Sequence, residues 1–293
     1  MRVHLVDGTY ELFRAHYSHR PPHESPEGKD LKATLGVVQS LLGLLAEKDE
    51  RCTHLAVAFD NPITSFRNRL FAGYKTDAGI DPPLRAQFDD VERAVAALGV
   101  TVWSMKDFEA DDALATGAVK YQADPRVEQV RICTPDKDLA QALEGTRVVQ
   151  VDRMRKKLIT VETVWAEKHL RPESVADFLA LVGDDADGIP GLEGWGAKSA
   201  AEVLAVHPHL EDIPSSIAQW KVKPRGAEKL LASLNREREL AMLYRKLATL
   251  RFDVPLQETL EQLEWKGVDD ATWTAWCRAV GSDSLSARPR RRA

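Results

Sequence analysis

Short apolar runs alternate with longer amphipathic stretches through the first two-thirds of the chain. The apolar runs predict β-strands at residues 2–6, 54–59, 100–103, 130–133 and 148–151. Stretches with helical apolar periodicity predict helices at residues 31–45, 84–98, 112–121 and 137–143. This alternation predicts an α/β fold with a mostly parallel central sheet that helices cover on both faces.

The remainder of the chain, from about residue 161, has helical patterning that is interrupted by Pro172, Pro190, Pro208, Pro214 and Pro224. Because proline ends or kinks a helix, short helices are expected there. We therefore predict an α/β core over residues 1–160 and a helical region over residues 161–293. Residues 61–83, rich in arginine, lysine and aromatic side chains, break the strand–helix alternation, and so long a connection is usually functional.

Carboxylates recur where the predicted strands end. Seven acids follow this pattern: Asp7 and Asp60 after the first two strands, Glu109, Asp111 and Asp112 after the third, and Asp136 and Asp138 after the fourth. Two more, Asp184 and Asp187, come after a helix at residues 175–182. Ligands of an open parallel sheet bind outside the carboxyl ends of its strands. We therefore expect these acids to meet at one edge of the sheet.

Taken singly, each acid has a structural explanation. Aspartate often caps a helix or forms a turn, and the run Glu109-Ala-Asp-Asp suits the first turn of a helix. Their joint occurrence favours a site, since crowded like charges repel unless cations fill the pocket. Oxygen-only ligand sets suit Mg²⁺ or Mn²⁺. Two such ions can activate a water and stabilise the leaving oxygen of a phosphodiester.

A glycine-rich segment follows the acids. Gly191, Gly194 and Gly196 precede a predicted helix that has Lys198 near its start. Glycine lets a backbone approach a ligand closely, and the N–H groups at a helix start favour phosphate. The segment resembles a DNA-backbone clamp of the helix–hairpin–helix type. A plain glycine-rich turn between helices remains the alternative, and the spacing of a Walker loop is absent.

The composition further limits the classes of protein to which the chain can belong. No apolar run is long enough to span a membrane, and no signal peptide is visible. The three cysteines are odd in number and widely spaced, which argues against disulfides and zinc and favours a reducing cytoplasm. The formal net charge is −5, but it becomes +4 without the nine carboxylates. This distribution permits binding of nucleic acid.

Several ordered motifs resemble the bacterial 5′-nuclease family. This domain forms the N-terminus of bacterial DNA polymerase I, also occurs as stand-alone 5′–3′ exonucleases, and is related to flap endonucleases. The resemblance covers residues 2–255. It rests on Leu5-Val-Asp-Gly with Phe13-Arg14, Val57-Ala-Phe-Asp60, Ser65-Phe-Arg67, Tyr74-Lys75, Glu109-Ala-Asp-Asp112, Thr134-Pro-Asp-Lys-Asp-Leu139, Gly183-Asp-Asp-Ala-Asp-Gly-Ile-Pro-Gly191, and Lys246-Leu-Ala-Thr with Asp253-Val-Pro-Leu.

The resemblance implies a role for each matching position. The first metal site would take Asp7, Asp60, Glu109 and Asp111, the second Asp111, Asp136, Asp138 and Asp187, with Asp112 and Asp184 as water-mediated ligands. Lys75 and Arg14 would reach the reacting phosphate, and the DNA contacts would be Arg67, Gly191, Gly194, Gly196 and Lys198. A helical arch is implied at about residues 61–98 and a duplex clamp, with a potassium ion held by backbone carbonyls, at about residues 183–206.

Two positions depart from the family pattern. The family usually has an arginine three residues past the lysine, where this chain has Ala78 beside the acidic Asp77. That change weakens the basic lining of the arch. The usual Asp-Asn-Ile-Pro is Asp187-Gly188-Ile-Pro here, which removes a side-chain hydrogen-bonding group but no metal ligand. All nine acids are present, so activity is expected.

The expected function is therefore a stand-alone, metal-dependent 5′ nuclease of DNA replication and repair. It would cut DNA at or near a 5′ flap, a nick or a free 5′ end, including ends that begin with an RNA primer. The protein would be a cytoplasmic monomer that acts at the nucleoid and does not bind a membrane. There are two alternatives. An inactive binder of branched DNA would lack some metal-binding acids, and ribonucleases of the related PIN-like class are usually shorter and lack the glycine-rich clamp.

Overall fold

The computed structural model describes residues 1–288, so the basic tail predicted at residues 288–293 lies outside the described residues except for Arg288. One six-stranded sheet has the order β3-β2-β1-β4-β5-β6. Its strands are β1 (Arg2–Asp7), β2 (Cys52–Asp60), β3 (Thr101–Met105), β4 (Gln129–Cys133), β5 (Val148–Asp152) and β6 (Lys157–Ile159). The five predicted strands are confirmed and run parallel, whereas β6 is antiparallel to β5. The three-residue β6 is too short to leave a periodic pattern.

Twelve α-helices surround and extend the sheet within residues 1–288. They are α1 (Gly8–His16), α2 (Lys32–Ala46), α3 (Arg67–Leu70), α4 (Pro82–Arg85), α5 (Phe88–Ala97), α6 (Ala110–Gln122), α7 (Val161–Lys168), α8 (Val175–Val182), α9 (Ala197–Leu204), α10 (Ala227–Arg236), α11 (Arg238–Ala248) and α12 (Asp270–Ala279). The α-helix predicted at residues 137–143 is instead a 3₁₀-helix, Lys137–Ala142. Helix α1 was not predicted. None of the helices described is long and apolar enough to cross a membrane.

Alternating side chains of the strands divide the interior into two cores. In β1, Leu5 belongs to the core that α6 covers, whereas the next residue, Val6, belongs to the core that α2 and α5 cover. This period of two is what a sheet covered on both faces requires. A third core lies among α8, α9, α10 and α11. The parallel register brings the ends of β1, β2 and β4 to one edge of the sheet.

The last described segment returns to the first core. Trp265, Trp273 and Cys277 are buried with the side chains of α2 and α5. The Trp265 indole N–H donates to the carbonyl oxygen of Leu98 at 2.9 Å. The division that we predicted at residue 160 therefore does not separate all of the later chain from the first core.

The approach between Gly99 and Gly267 gives a test of this packing. Gly99 has a φ of +76°, and a Cβ there would lie 2.3 Å from the carbonyl oxygen of Gly267. Gly28 has a φ of +79° with nothing within 4 Å of such a Cβ. Both alanine variants strain the backbone, but only Gly99→Ala also displaces the returning segment. We expect its free energy of unfolding in urea to fall by about 1–3 kcal/mol more than that of Gly28→Ala. Equal losses would contradict this packing.

Candidate active site

A cavity of about 420 Å³ opens at the carboxyl edge of the sheet. Five of the nine predicted acids line it, together with one lysine: Asp7, Asp60, Asp111, Asp136, Asp187 and Lys75. Apolar and aromatic side chains complete the lining, among them Tyr10, Phe13, Ile63 and Ile80. The structure thus brings together acids from four strand ends and from the loop after α8.

Asp7 ends β1 and caps α1. Its Oδ1 accepts from the backbone N–H of Tyr10 at 2.8 Å, and its Oδ2 accepts from the Thr134 hydroxyl at 3.0 Å. Burial and the charge of Asp60 raise the pKa of Asp7 to about 7. The capping explanation is correct for Asp7, but a cap alone does not require a second carboxylate nearby. The raised pKa shows how costly the charge is without a compensating cation.

Asp60 and Asp111 occupy the same cavity. Asp60 ends β2, and its Oδ1 accepts from the backbone N–H of Ala110, at the start of α6, at 2.7 Å. Burial raises the pKa of Asp60 to about 6, although the charge of Lys75 opposes the rise. Burial and the charges of Asp136 and Asp7 raise the pKa of Asp111 well above its ordinary value.

Glu109 is buried, with 3% of its surface exposed. Its Oε1 accepts from the Ser65 hydroxyl at 2.6 Å, and its Oε2 lies 2.8 Å from the Lys75 ammonium. Burial alone would raise the pKa of Glu109, but the charges of Lys75 and Arg67 outweigh it and lower the pKa. Glu109 is therefore an anion held in place by neighbouring donors.

Lys75 lies between two acids that belong to different parts of the chain. Its ammonium is 2.8 Å from Glu109 Oε2 and 2.9 Å from Asp187 Oδ1. These carboxylates outweigh burial and raise the pKa of Lys75, so it is a cation. Its backbone N–H also donates to the carbonyl oxygen of Asp187 at 3.0 Å. The placement of Lys75 in the predicted site therefore depends on both side chain and backbone.

The backbone geometry explains why residue 188, which departs from the family pattern, is a glycine. Its φ is +72°, and a Cβ there would lie 2.2 Å from the carbonyl oxygen of Gly73. The side chain at residue 188 is therefore excluded by the same close approach that joins Lys75 to Asp187. From the sequence we interpreted Gly188 only as the loss of a hydrogen-bonding group.

A second group of acids adjoins the cavity. Carboxylate oxygens of Asp138, Asp184 and Asp187 lie within 4.8 Å of one another. Oδ1 of Asp138 is buried and has no hydrogen-bond partner among the described residues, which is what an oxygen reserved for a cation would show. Burial and the charge of Asp136 raise the pKa of Asp138 well above its ordinary value. An all-oxygen donor set of this kind fits a hard divalent ion.

Asp112 and Arg67 form a buried ion pair. The two guanidinium Nη atoms of Arg67 each lie 2.8 Å from an oxygen of Asp112, and both residues are buried. Asp112 also accepts from the backbone N–H groups of Glu109 and Arg251. Both of its oxygens are thus engaged away from the cavity. A water-mediated metal role for Asp112 stays a prediction, whereas Arg67, only 2% exposed, cannot contact DNA in this structure.

Arg14, predicted to reach the reacting phosphate, does not line the cavity. Its guanidinium contacts the buried carboxylate of Glu11, the Ser40 hydroxyl at 3.1 Å and Met154 Sδ at 3.1 Å. The structure therefore does not bring Arg14 together with Lys75.

The predicted arch has three short helices, α3, α4 and α5, and no helix over residues 71–81. Lys75 and Ile80 of this helix-free segment reach the cavity, whereas Ala78 is exposed and does not line it. The acidic Asp77 lies 3.6 Å from the guanidinium of Arg85. His16 of α1 is hydrogen-bonded to Asp81 at 2.8 Å, which ties the end of the segment to the core.

The glycine-rich segment contains one position at which packing requires glycine and three positions that are exposed to solvent. Gly191 has a φ of +71°, and a Cβ there would lie 2.5 Å from the backbone nitrogen of Gly183. Its glycine is therefore required by packing. Gly194, Gly196 and Lys198 are exposed, and Gly196 is the N-cap of α9. The buried Trp195 between them donates to the carbonyl oxygen of Leu230, which fixes this turn against α10.

Four polar residues of the site were not assigned a role from the sequence. Ser65 and Thr134 donate to Glu109 and Asp7, and the Tyr74 hydroxyl lies 3.2 Å from Glu109 and 3.1 Å from Asp187. Lys137 lies 2.7 Å from Asp184. The available signal was proximity in sequence, since each stands next to or within a motif that contains a predicted site residue.

Two family models match consecutive parts of the chain. Residues 2–169 match the 5′–3′ exonuclease N-terminal resolvase-like domain, and residues 170–271 match the 5′–3′ exonuclease C-terminal SAM fold. The chain is 30% identical to a 5′–3′ exonuclease of Aquifex aeolicus over 91% of its own length and 88% of that protein. It is 32% identical to DNA polymerase I of Bacillus caldotenax, over 96% of its length but only 31% of the polymerase.

Solved structures share the fold. A T5 5′-exonuclease with bound divalent metal ions superposes with a TM-score of 0.63 at 20% identity, covering 85% of this chain and 89% of that one. The catalytic core of Rad2 in complex with DNA substrate superposes with a TM-score of 0.60 at 16% identity, covering 97% of this chain and 89% of that one. The matched family models together cover most of the chain, from residue 2 to residue 271. The chain belongs to the 5′–3′ exonuclease family.

Proposed function

We propose that this chain hydrolyses phosphodiester bonds at or near the 5′ ends of flapped, nicked or free-ended DNA, using two divalent ions. The observation that carries the proposal is the cavity in which carboxylates from separate strand ends meet Lys75. Such a concentration of acids is unfavourable unless cations compensate it. Family membership supports a DNA-hydrolysing nuclease with 5′–3′ exonuclease or flap endonuclease activity.

The residues fit two ions of the Mg²⁺ or Mn²⁺ class. Asp7, Asp60, Glu109 and Asp111 would hold one, and Asp111, Asp136, Asp138 and Asp187 the other, with Asp184 beside them. When bound, such ions activate a water and stabilise the leaving oxygen of the phosphodiester. Because these ions supply the acid–base chemistry, no histidine is needed at the site.

The chain's own residues bind and orient the substrate. Lys75 would offset negative charge that develops on the reacting phosphate, because its ammonium already lies among the acids. Lys198 and the exposed backbone of Gly194 and Gly196 would bind duplex phosphates without reading sequence. A potassium ion at the carbonyl oxygens of this turn belongs to the same proposal. Residues 61–98 would border the path of the unpaired 5′ strand.

The proposed setting is DNA replication and repair in the cytoplasm, at the nucleoid. The protein would act as a monomer, and its substrates would include 5′ ends that begin with an RNA primer. These features come from the family rather than from the geometry of the cavity.

Removal of one acid tests the metal site. Asp187→Ala removes a carboxylate that lines the cavity, whereas Asp185→Ala removes an exposed carboxylate from the same loop. We expect Asp187→Ala to slow magnesium-dependent cleavage of a 5′-flap duplex at least about 100-fold, since even the outer partners of metal ligands cost 10–100-fold. Asp185→Ala should cut at the wild-type rate. Equal rates for the two variants would contradict the placement of the ions.

Replacement of Lys75 tests its role toward the phosphate. Lys75→Met removes the charge and keeps most of the side-chain volume. We expect the single-turnover cleavage rate to fall roughly 100- to 1,000-fold, the usual loss when one group that stabilises developing charge is removed. The Kd for flap DNA, measured by fluorescence anisotropy with Ca²⁺ in place of Mg²⁺, should change much less. A loss confined to binding would show that Lys75 only holds DNA.

The salt dependence of DNA binding tests the clamp. Lys198 lies in the first turn of α9, whereas Lys48 is exposed in the turn before β2, at the opposite edge of the sheet. The slope of log K against log salt concentration is negative. We expect Lys198→Ala to reduce its magnitude by about one, because one phosphate contact is lost. Lys48→Ala should leave the slope unchanged. An unchanged slope for Lys198→Ala would place the duplex elsewhere.

A further inference from the structure

Lys137 is a cation inside the acidic run Asp136-Lys-Asp138, at the start of the 3₁₀-helix that follows β4. Its ammonium lies 2.7 Å from Oδ2 of Asp184. The other oxygen of Asp184 accepts from the backbone N–H of Ala186 at 3.1 Å. Asp184 is thus a buried carboxylate whose second oxygen is engaged by a lysine that the proposed reaction does not use.

The same carboxylate belongs to the group that could hold a divalent ion. Oxygens of Asp138, Asp184 and Asp187 lie within 4.8 Å of one another. An ion bound by this group would lie within a few ångströms of the Lys137 ammonium, and the two cations would repel. They would also compete for oxygens of one carboxylate. Lys137 and the ion therefore oppose each other's binding.

The two lysines at the site differ in how easily they can leave. Lys75 bridges two carboxylates, and its side chain is 22% exposed. Lys137 contacts one carboxylate, and its side chain is 43% exposed. A half-exposed ammonium on a flexible four-carbon stem can move into solvent or to a DNA phosphate without disturbing the core.

We propose that Lys137 is a positioning residue that serves as an exchangeable counter-ion of Asp184. It neutralises Asp184 in the metal-free protein and leaves when a divalent ion takes that carboxylate. This inference rests on the proposed function and deepens it. A DNA phosphate near the site offers the displaced ammonium a new partner, so loading of the ion and binding of DNA favour each other.

Binding of Mn²⁺ to the DNA-free protein tests the inference without any measurement of activity. Free Mn²⁺ is followed by electron paramagnetic resonance during titration of the wild type, Lys137→Gln and Lys137→Met. We expect the weaker of the bound ions to bind about tenfold more tightly in both variants, since a nearby partly solvated positive charge has been removed. Lys48→Gln, far from the acids, should bind Mn²⁺ as the wild type does.

A double-mutant cycle with Asp184→Asn separates competition for Asp184 from a general change of charge. If Lys137 acts mainly through Asp184, Lys137→Gln should tighten Mn²⁺ binding much less in the Asp184→Asn background, where only direct repulsion by the ammonium remains. An unchanged affinity in Lys137→Gln and Lys137→Met, or the same gain in both backgrounds, would overturn the inference alone. Absence of any Mn²⁺ binding by the wild type would overturn the proposed function and this inference with it.

Discussion

Repulsion among carboxylates at one edge of the sheet is the constraint on which the rest of the site depends. Parallel strands deliver Asp7 and Asp60 to that edge, and the loop after α8 adds Asp187. Burial strengthens the repulsion, and burial together with neighbouring carboxylates raises the pKa values of Asp7 and Asp60. The fold supplies cations of its own: Lys75 contacts Glu109 and Asp187, and Lys137 contacts Asp184. Divalent ions would complete a compensation that the lysines only begin.

The charge of another buried carboxylate, Asp112, is compensated by the guanidinium of Arg67. This ion pair is fully buried, and the Arg67 guanidinium also donates to the carbonyl oxygens of Leu247 and Thr249. One pair thus joins α3, the start of α6 and the end of α11. Removing one partner of a buried pair leaves an uncompensated charge, which typically costs about 3–5 kcal/mol. Asp112 is therefore fixed by its structural role, and Glu109 on the same turn acquires a defined position.

Much of the sheet and of the acidic site could be predicted from the sequence. The strands were recognisable because each is a short buried run, and most of the acids because each follows such a run. The partners of Asp112, Arg67 and Arg14 could not be predicted, because a motif shows that a charged residue is present but not which partner it faces. Helix α1 was missed since it begins immediately at Gly8, with no loop between it and β1. The need for glycine at residue 188 could not be predicted either, because it arises from a close approach to Gly73, which lies more than a hundred residues away in the chain.

The helix-free segment at residues 71–81 shows how charge compensation and backbone order are linked. No helix forms in this segment, and its contacts with the rest of the protein include the Lys75 ammonium with two acids, the Lys75 N–H with Asp187, and Asp81 with His16. The first of these contacts uses carboxylates that divalent ions would also bind. If ions neutralised the acids, the attraction that holds the Lys75 ammonium would weaken, whereas its backbone contact would remain. The ammonium would then be available to a phosphate without release of the segment, because Gly188 has no Cβ that would separate the two backbones.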